Sequence, residues 1–179
     1  MTIRLAKLLL RDAALLTRPV HLDLEVWEFG KKAELLGRLD LRFLYSTGVR
    51  HPWPCFAIEA KRLHVTFPKG GWKSLVSEYV TGDTGKPAEE EQGMMCFVTG
   101  RYSGGLQAGA MLGYVYDGKL DRAQSGIHNA IAEYAAKLKL SQEQQIRVSE
   151  LIPDENRITE SIHVLPNGNF TIYHLLLAV

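Results

Sequence analysis

Residues 55–65, CFAIEAKRLHV, decide how the chain folds, because they set a glutamate and a lysine within a run of strand-forming residues. The preceding segment 37–45, GRLDLRFLY, alternates apolar and charged side chains, the pattern of a half-buried strand. Residues 22–29 have the character of a further strand. Strands this close in sequence usually pair with their neighbours, so we expect the three segments to form an antiparallel meander.

The remaining segments predict helices and a second group of strands around this meander. The expected elements are a buried helix over residues 2–17, a short helix over 75–80, a helix that begins at Pro87 and the acidic run 89–91 with Met94, Met95, Phe97 and Val98 inside, a strand over 110–116, an amphipathic helix over 121–140, and a closing hairpin of 158–165 and 170–179. This order predicts one α+β or α/β domain over residues 1–179 with a mixed sheet.

Composition excludes several classes of protein. The 179 residues contain 21 Lys and Arg against 20 Asp and Glu, so bulk positive charge cannot drive nucleic-acid binding. Residues 1–75 nevertheless hold 13 basic and 7 acidic side chains, which makes this half the better candidate to face a polyanion. Cys55 and Cys96 lack the spacing of a disulfide framework or a zinc site. Without an apolar run of about 20 residues, we expect no membrane span and a reducing, cytoplasmic location.

The chemistry of the chain centres on Asp40, Glu59 and Lys61. Glu59 and Lys61 lie two residues apart on the third predicted strand, so they share a face, and Asp40 lies on the polar face of the strand before it. Paired strands would bring two carboxylates and an ammonium group to one point, the set that Mg²⁺-dependent phosphodiester hydrolysis needs. The alternative is an ordinary structural ion pair between Glu59 and Lys61.

These residues resemble the PD-(D/E)xK nuclease superfamily, the restriction-endonuclease-like fold. Four segments in order are similar to a group of bacterial proteins with an I-E-x-K-R-L strand, a helix ending in F-x-x-G-x-Y-S, a G-M-x-G-F/Y-V strand and a terminal H-L-x-L. The segments here are FAIEAKRL, EQGMMCFVTGRYS, AGAMLGYV and TIYHLLLAV. The resemblance covers about residues 36–179.

The resemblance implies a role for each matching residue. Asp40 and Glu59 would bind Mg²⁺ or Mn²⁺ together with the backbone carbonyl of Ala60, and Lys61 would position the attacking water. Gln92 is the matching candidate for contact with phosphate, with Arg101 second. Many members also carry a glutamate on the first helix, whereas residues 2–17 offer only Asp12.

Basic side chains near these carboxylates are the candidate DNA contacts. Arg38, Arg42, Arg50 and Arg62 flank the carboxylates along the same strands or the connecting loop. Lys69 and Lys73, in KGGWKS, either touch a nucleic-acid backbone or belong to an ordinary exposed loop. His163 and His174, on the closing hairpin, either serve a metal or phosphate or are hydrogen-bonded strand histidines. A two-residue hairpin loop would place His163 opposite Ile172.

The expected function is therefore a metal-dependent nuclease that hydrolyses DNA, in restriction, phage defence or as a toxin. The alternative is a catalytically silent nuclease-fold module that binds DNA or a partner protein, which the missing first-helix glutamate favours. The resemblance also implies a homodimer or a partner subunit of a defence system.

Overall fold

A mixed β-sheet dominates the computed structural model, which describes residues 11, 20–29, 35–45, 55–63, 75–82, 92–102, 106–142, 146–155 and 157–179. Within these residues the strands are β1 (Val20–Phe29), β2 (Leu35–Tyr45), β3 (Cys55–Leu63), β4 (Ala108–Val115), β5 (Arg147–Val148), β6 (Ile158–Leu165) and β7 (Gly168–Ala178). The helices are α1 (Leu75–Val80), α2 (Met95–Val98) and α3 (Leu120–Glu133). The described residues thus form one α+β domain, and residues 2–10 and 12–17, predicted to be helical, lie outside them.

The sheet has the order β1-β2-β3-β4-β7-β6-β5. The first three strands form the expected antiparallel meander. β4 then lies parallel to β3, and β7 parallel to β4, while β6 and β5 complete the sheet as antiparallel neighbours. A parallel step needs a crossover connection, and α1 and α2 lie in the stretch of chain that separates β3 from β4.

One face of the central strands carries the core. Met111 on β4 and Ile172 on β7 are fully buried, and strand alternation puts both on the same face as Ala57 of β3. α3 supplies side chains at i, i+4 and i+8, namely Ala123, Ile127 and Ile131, to the same core cluster. α2 is buried along all four of its residues.

The predicted helix over 121–140 is wrong in its last turns, because α3 ends at Glu133. Residues 134–139 form successive turns, and Lys139 adopts a left-handed conformation with φ 53°. The chain leaves the helix to pair with the edge of β6: Ser141 N–H donates to Ile162, and Val164 N–H donates to Lys139. This tertiary pairing overrides a helical pattern that is amphipathic throughout.

The closing hairpin has the predicted strands with a shifted register. Its turn is Pro166-Asn167, so Leu165 pairs with Gly168 and His163 opposes Phe170 instead of Ile172. The two-residue strand β5 has no counterpart in the sequence prediction, since it is too short to show alternation. Of the predicted helix that begins at Pro87, residues 87–91 lie outside the described part; within the described part, the helix is α2, Met95–Val98.

No helix among the described residues is long and apolar enough to cross a membrane.

The link between α1 and α2 predicts a strong glycine requirement. Gly93 has φ 65°, and a Cβ there would lie 2.2 Å from the carbonyl oxygen of Tyr79. Gly118 has nearly the same φ, 67°, but a Cβ there would meet nothing within 4 Å. Gly118→Ala should therefore cost only the left-handed strain of about 1–2 kcal/mol. Gly93→Ala should cost at least about 2 kcal/mol more, because a backbone atom must move.

Urea unfolding of both variants beside the unaltered chain measures the two losses. Equal losses would contradict the close packing of Gly93 against α1.

Candidate active site

Strands β2 and β3 separate at the candidate site. Their register runs from Leu44 opposite Cys55 to Leu41 opposite Ile58. One residue further, the carboxylate of Asp40 accepts a hydrogen bond of 2.9 Å from the backbone N–H of Ala60. A side chain thus accepts the hydrogen bond of a backbone N–H where the ladder ends. This hydrogen bond fixes the Asp40 carboxylate beside residues 59–61.

Glu59 and Lys61 form a close, largely buried ion pair. Lys61 Nζ lies 2.7 Å from Glu59 Oε1, and the side chains are 16% and 6% exposed for Lys61 and Glu59, respectively. Glu59 Oε2 is also buried and has no hydrogen-bond partner among the described residues. A charged acceptor left without a partner in the interior is costly, so this oxygen is the conspicuous feature of the site.

The electrostatics of the pair follow from burial and from its own charges. Burial raises the pKa of Glu59, and the ammonium group of Lys61 opposes that rise. Burial alone would lower the pKa of Lys61, but attraction to Glu59, with smaller contributions from Cys96 and Asp40, raises it above its usual value. Lys61 therefore stays protonated at neutral pH.

Gln92, which precedes α2 in the chain, is a polar neighbour of Lys61. Its side-chain oxygen lies 3.5 Å from Lys61 Nζ, at the outer limit of a hydrogen bond. Gln92 is exposed, whereas Gly93 and Met94 behind it are buried. The structure thus brings together Asp40, Glu59, Lys61 and Gln92, which lie on three separate segments of the chain.

Three further residues lie near Glu59, namely Cys96, Arg101 and Tyr102. The sequence predicts no site role for Cys96 or Tyr102. An Arg101 guanidinium nitrogen lies 3.9 Å from Cys96 Sγ, and its charge lowers the pKa of Glu59 slightly. Burial is the main cause and the negative charge of Glu59 the second cause of two raised pKa values. The pKa of the Cys96 thiol is raised to about 11, and the pKa of the Tyr102 hydroxyl is also raised. Cys96 is therefore an unreactive thiol. The segment EQGMMCFVTGRYS of the resemblance contains all three residues, but only Arg101 has a predicted role, because no spacing in the sequence connects Cys96 or Tyr102 to Glu59.

The predicted DNA contacts have different surroundings. Arg42 pairs with Asp23 at 3.0 Å, so a local carboxylate already balances its charge. Arg62 is exposed, and strand alternation directs it to the face opposite Lys61. Arg38 lies in β2 opposite Trp27, with its side chain outside the described part. Arg50, Lys69 and Lys73 also lie outside it.

The two hairpin histidines belong to a buried hydrogen-bonded chain. His163 Nδ1 lies 2.7 Å from the carbonyl oxygen of Leu138, and its Nε2 lies 2.8 Å from Ser161 Oγ. Ser161 Oγ is 2.9 Å from His174 Nε2, and His174 Nδ1 is 3.1 Å from the Tyr79 hydroxyl. All four side chains are buried. His163 and His174 are therefore hydrogen-bonded strand histidines with buried partners.

Among the described residues, no group of three or more His, Cys, Asp or Glu side chains is arranged to hold a metal ion. A site of two carboxylates, with water and substrate completing the shell, falls below that size. No protein-family model matches the chain, and no curated protein or solved structure matches it significantly.

The buried histidines predict a loss of stability in mild acid. Burial, with smaller contributions from His163 and His128, lowers the pKa of His174 from 6.5 to about 3. Between these values the unfolded chain binds a proton that the folded chain refuses, so stability falls as pH drops from 6.5 towards 3. Each such histidine contributes up to about 1.4 kcal/mol per pH unit. The titratable groups that act on His174 among the described residues are Tyr79 from α1, His163 from β6 and His128 from α3.

His174→Gln should flatten this dependence, because glutamine keeps a donor and an acceptor but does not titrate. Urea unfolding between pH 7.5 and 4.5 measures the slope, with Met111→Leu as a buried, non-titrating control. The raised pKa of Glu59 acts in the opposite direction and cancels in the comparison. Equal slopes in His174→Gln and the unaltered chain would contradict the prediction.

Proposed function

We propose that this protein is a metal-dependent nuclease of restriction-endonuclease-like fold that hydrolyses DNA phosphodiester bonds. The observation that carries the proposal is the state of Glu59: a buried carboxylate with one oxygen on Lys61 and the other without a hydrogen-bond partner among the described residues. The Asp40 carboxylate, fixed at the neighbouring Ala60, supplies a second acid beside it.

A second buried glutamate in the same sheet supports this interpretation by contrast. Glu160 is 3% exposed and lies on β6. One of its oxygens accepts from Arg147 at 2.8 Å, and the other accepts from the backbone N–H of Glu150 at 3.3 Å. Both carboxylate oxygens of Glu160 therefore have hydrogen-bond partners, as expected of a structural acid. One oxygen of Glu59 has no such partner among the described residues and can bind a ligand.

The topology is compatible with the proposed fold. The resemblance implies a mixed sheet with the candidate acids on consecutive strands, followed by a further helix and strand. The described sheet is mixed, and the acids lie on β2 and β3, followed by α1, α2 and β4. The backbone pairing between these strands ends beside Asp40 and Glu59.

The donor set fits Mg²⁺, or Mn²⁺. Asp40 and Glu59 offer the hard oxygen ligands that these ions prefer, and the Ala60 carbonyl is the expected third protein ligand. Mg²⁺ is usually held by one or two carboxylates, with waters and substrate phosphate completing its shell. When bound, the ion would acidify a water molecule and offset negative charge on the phosphate.

The chain's own residues then have separate roles. Lys61 is held protonated by Glu59, so it acts as a hydrogen-bond donor that orients the attacking water and stabilises negative charge in the transition state. Gln92 limits the position of the Lys61 ammonium group from the solvent side. Arg101, partly exposed and within electrostatic range of Glu59, is the described cation best placed to meet a phosphate.

The competing function is a catalytically silent module that binds DNA or a partner protein. It is favoured by the Glu59–Lys61 ion pair, because the lysine already offsets the charge of the glutamate without any metal. The two functions differ in whether Glu59 binds a divalent cation.

The first experiment is titration of the purified protein with Mn²⁺ and Mg²⁺ in a calorimeter, beside Glu59→Gln. We expect measurable binding that Glu59→Gln reduces at least tenfold, since it removes a charged ligand. Glu160→Gln is the matched control: it neutralises an equally buried, arginine-paired glutamate away from the site. Equal loss in both variants, or no binding in any, would move the conclusion to the silent module.

Cleavage of supercoiled plasmid, single-stranded DNA and RNA with Mg²⁺, Mn²⁺ or EDTA then tests the reaction. Lys61→Ala should lower the rate about 100- to 1,000-fold, the usual effect of losing one transition-state donor. Lys119→Ala, the other lysine in an acid-x-Lys sequence, lies in an exposed turn and should leave the rate unchanged. Cleavage that survives Lys61→Ala would mean that other residues carry the reaction.

A further inference from the structure

Tyr79 is a fully buried residue of α1 whose two ends bond to different parts of the molecule. Its backbone carbonyl accepts a hydrogen bond of 3.0 Å from the N–H of Met94. Its hydroxyl lies 3.1 Å from His174 Nδ1 on β7 and 3.3 Å from the carbonyl oxygen of Met111 on β4. The residue therefore connects the Gln92–Met94 turn to the central strands.

The carbonyl end of Tyr79 holds the turn that carries Gln92. Gly93 packs so closely on α1 that a Cβ would lie 2.2 Å from the Tyr79 oxygen and 2.6 Å from the Glu78 oxygen. Gly82, which follows α1, is close enough that its Cβ would lie 2.8 Å from the backbone nitrogen of Gln92. A shift of α1 must therefore carry Gln92 with it, because no free space separates them.

The hydroxyl end of Tyr79 is fixed by the histidine chain. The Leu138 carbonyl can only accept, so His163 Nδ1 carries the proton and its Nε2 accepts from Ser161. Ser161 Oγ then accepts from His174 Nε2, which leaves His174 Nδ1 as an acceptor for the Tyr79 hydroxyl. The one hydroxyl proton thus goes to His174, and the longer contact with Met111 is the secondary one.

Met111 places this anchor close to the candidate site. In the parallel register Glu59 lies opposite Met111, and Met111 lies opposite His174. The Tyr79 hydroxyl therefore contacts β4, the neighbour of the strand that bears Glu59 and Lys61, and β7, which lies one strand further. It sets the distance between α1 and this row of the sheet, and hence the distance between Gln92 and Lys61.

We infer that Tyr79 is a positioning residue: its hydroxyl, held by His174, fixes α1 so that Gln92 holds the Lys61 ammonium group in place. This inference rests on the proposed nuclease function, in which Lys61 must donate to a defined point. The 3.5 Å contact between Gln92 and Lys61 is already at the outer limit of a hydrogen bond, so a small movement of α1 breaks it.

A double-mutant cycle tests the inference in the full chain. Tyr79→Phe keeps the ring and the carbonyl but removes the hydroxyl, and should lower the cleavage rate constant roughly 3- to 10-fold, the effect of one lost hydrogen bond. In a Gln92→Ala background the same change should have less than about a twofold effect, because the residue it positions is gone. Equal effects in both backgrounds would overturn the inference.

Tyr114→Phe is the matched control. It removes a buried hydroxyl from β4 on the opposite face of the sheet, away from Gln92. It should leave the rate unchanged even where it lowers stability.

A spectroscopic measurement keeps the test independent of cleavage. The side-chain amide resonance of Gln92, assigned by its disappearance in Gln92→Ala, should shift in Tyr79→Phe and remain in place in Tyr114→Phe. A protein that cleaves no nucleic acid would remove the proposed function, and this resonance would then decide the structural inference alone. An unmoved resonance in Tyr79→Phe would overturn it.

Discussion

The hydrogen bond from Ala60 N–H to the Asp40 carboxylate is the constraint on which the candidate site depends. Beyond Leu41 and Ile58 the two strands no longer share a backbone ladder, and the partly buried N–H of Ala60 would lack a strand partner there. Asp40 satisfies that donor and in doing so fixes an acid beside Glu59. The separation of the strands and the gathering of carboxylates are therefore one structural event.

The charge of each residue in the buried ion pair is balanced by its immediate neighbour. Glu59 relies on Lys61 for one oxygen, and the raised pKa of Lys61 shows the strength of that attraction over the effect of burial. Breaking a buried pair by removing one partner is strongly destabilising, whereas a complete pair contributes little to stability. Retaining a charged pair with an unbonded oxygen is thus hard to explain by stability alone, which is the physical reason to assign it a chemical role.

The sequence predicts those parts of the fold and site that depend on local periodicity. Alternation along residues 37–45 and the E-x-K spacing sufficed for the meander and for the shared face of Glu59 and Lys61. The end of α3 and the strand β5 depend on pairing with β6, which no local pattern encodes. The hairpin register depends on which two residues of the segment 166–169 form the turn. The position of Cys96 and Tyr102 near Glu59 is likewise a tertiary feature, because these residues lie far from Glu59 along the chain.

Two polar clusters on one face of the sheet differ in charge: one is an ion pair, and the other is a chain of neutral side chains. Glu59, Met111 and His174 occupy the same row across three strands, so about 10 Å separates the ionic site from the histidine chain. At the first, opposite charges are kept because each stabilises the other. At the second, burial lowers the pKa of both His174 and His163, which favours the neutral form of each imidazole. A cation at His174 would compete with Lys61 for the field of Glu59, through an interior that screens poorly. Neutral histidines give α1 a firm, directional anchor without adding a charge, and they leave Lys61 as the nearest cation to Glu59 among the described residues.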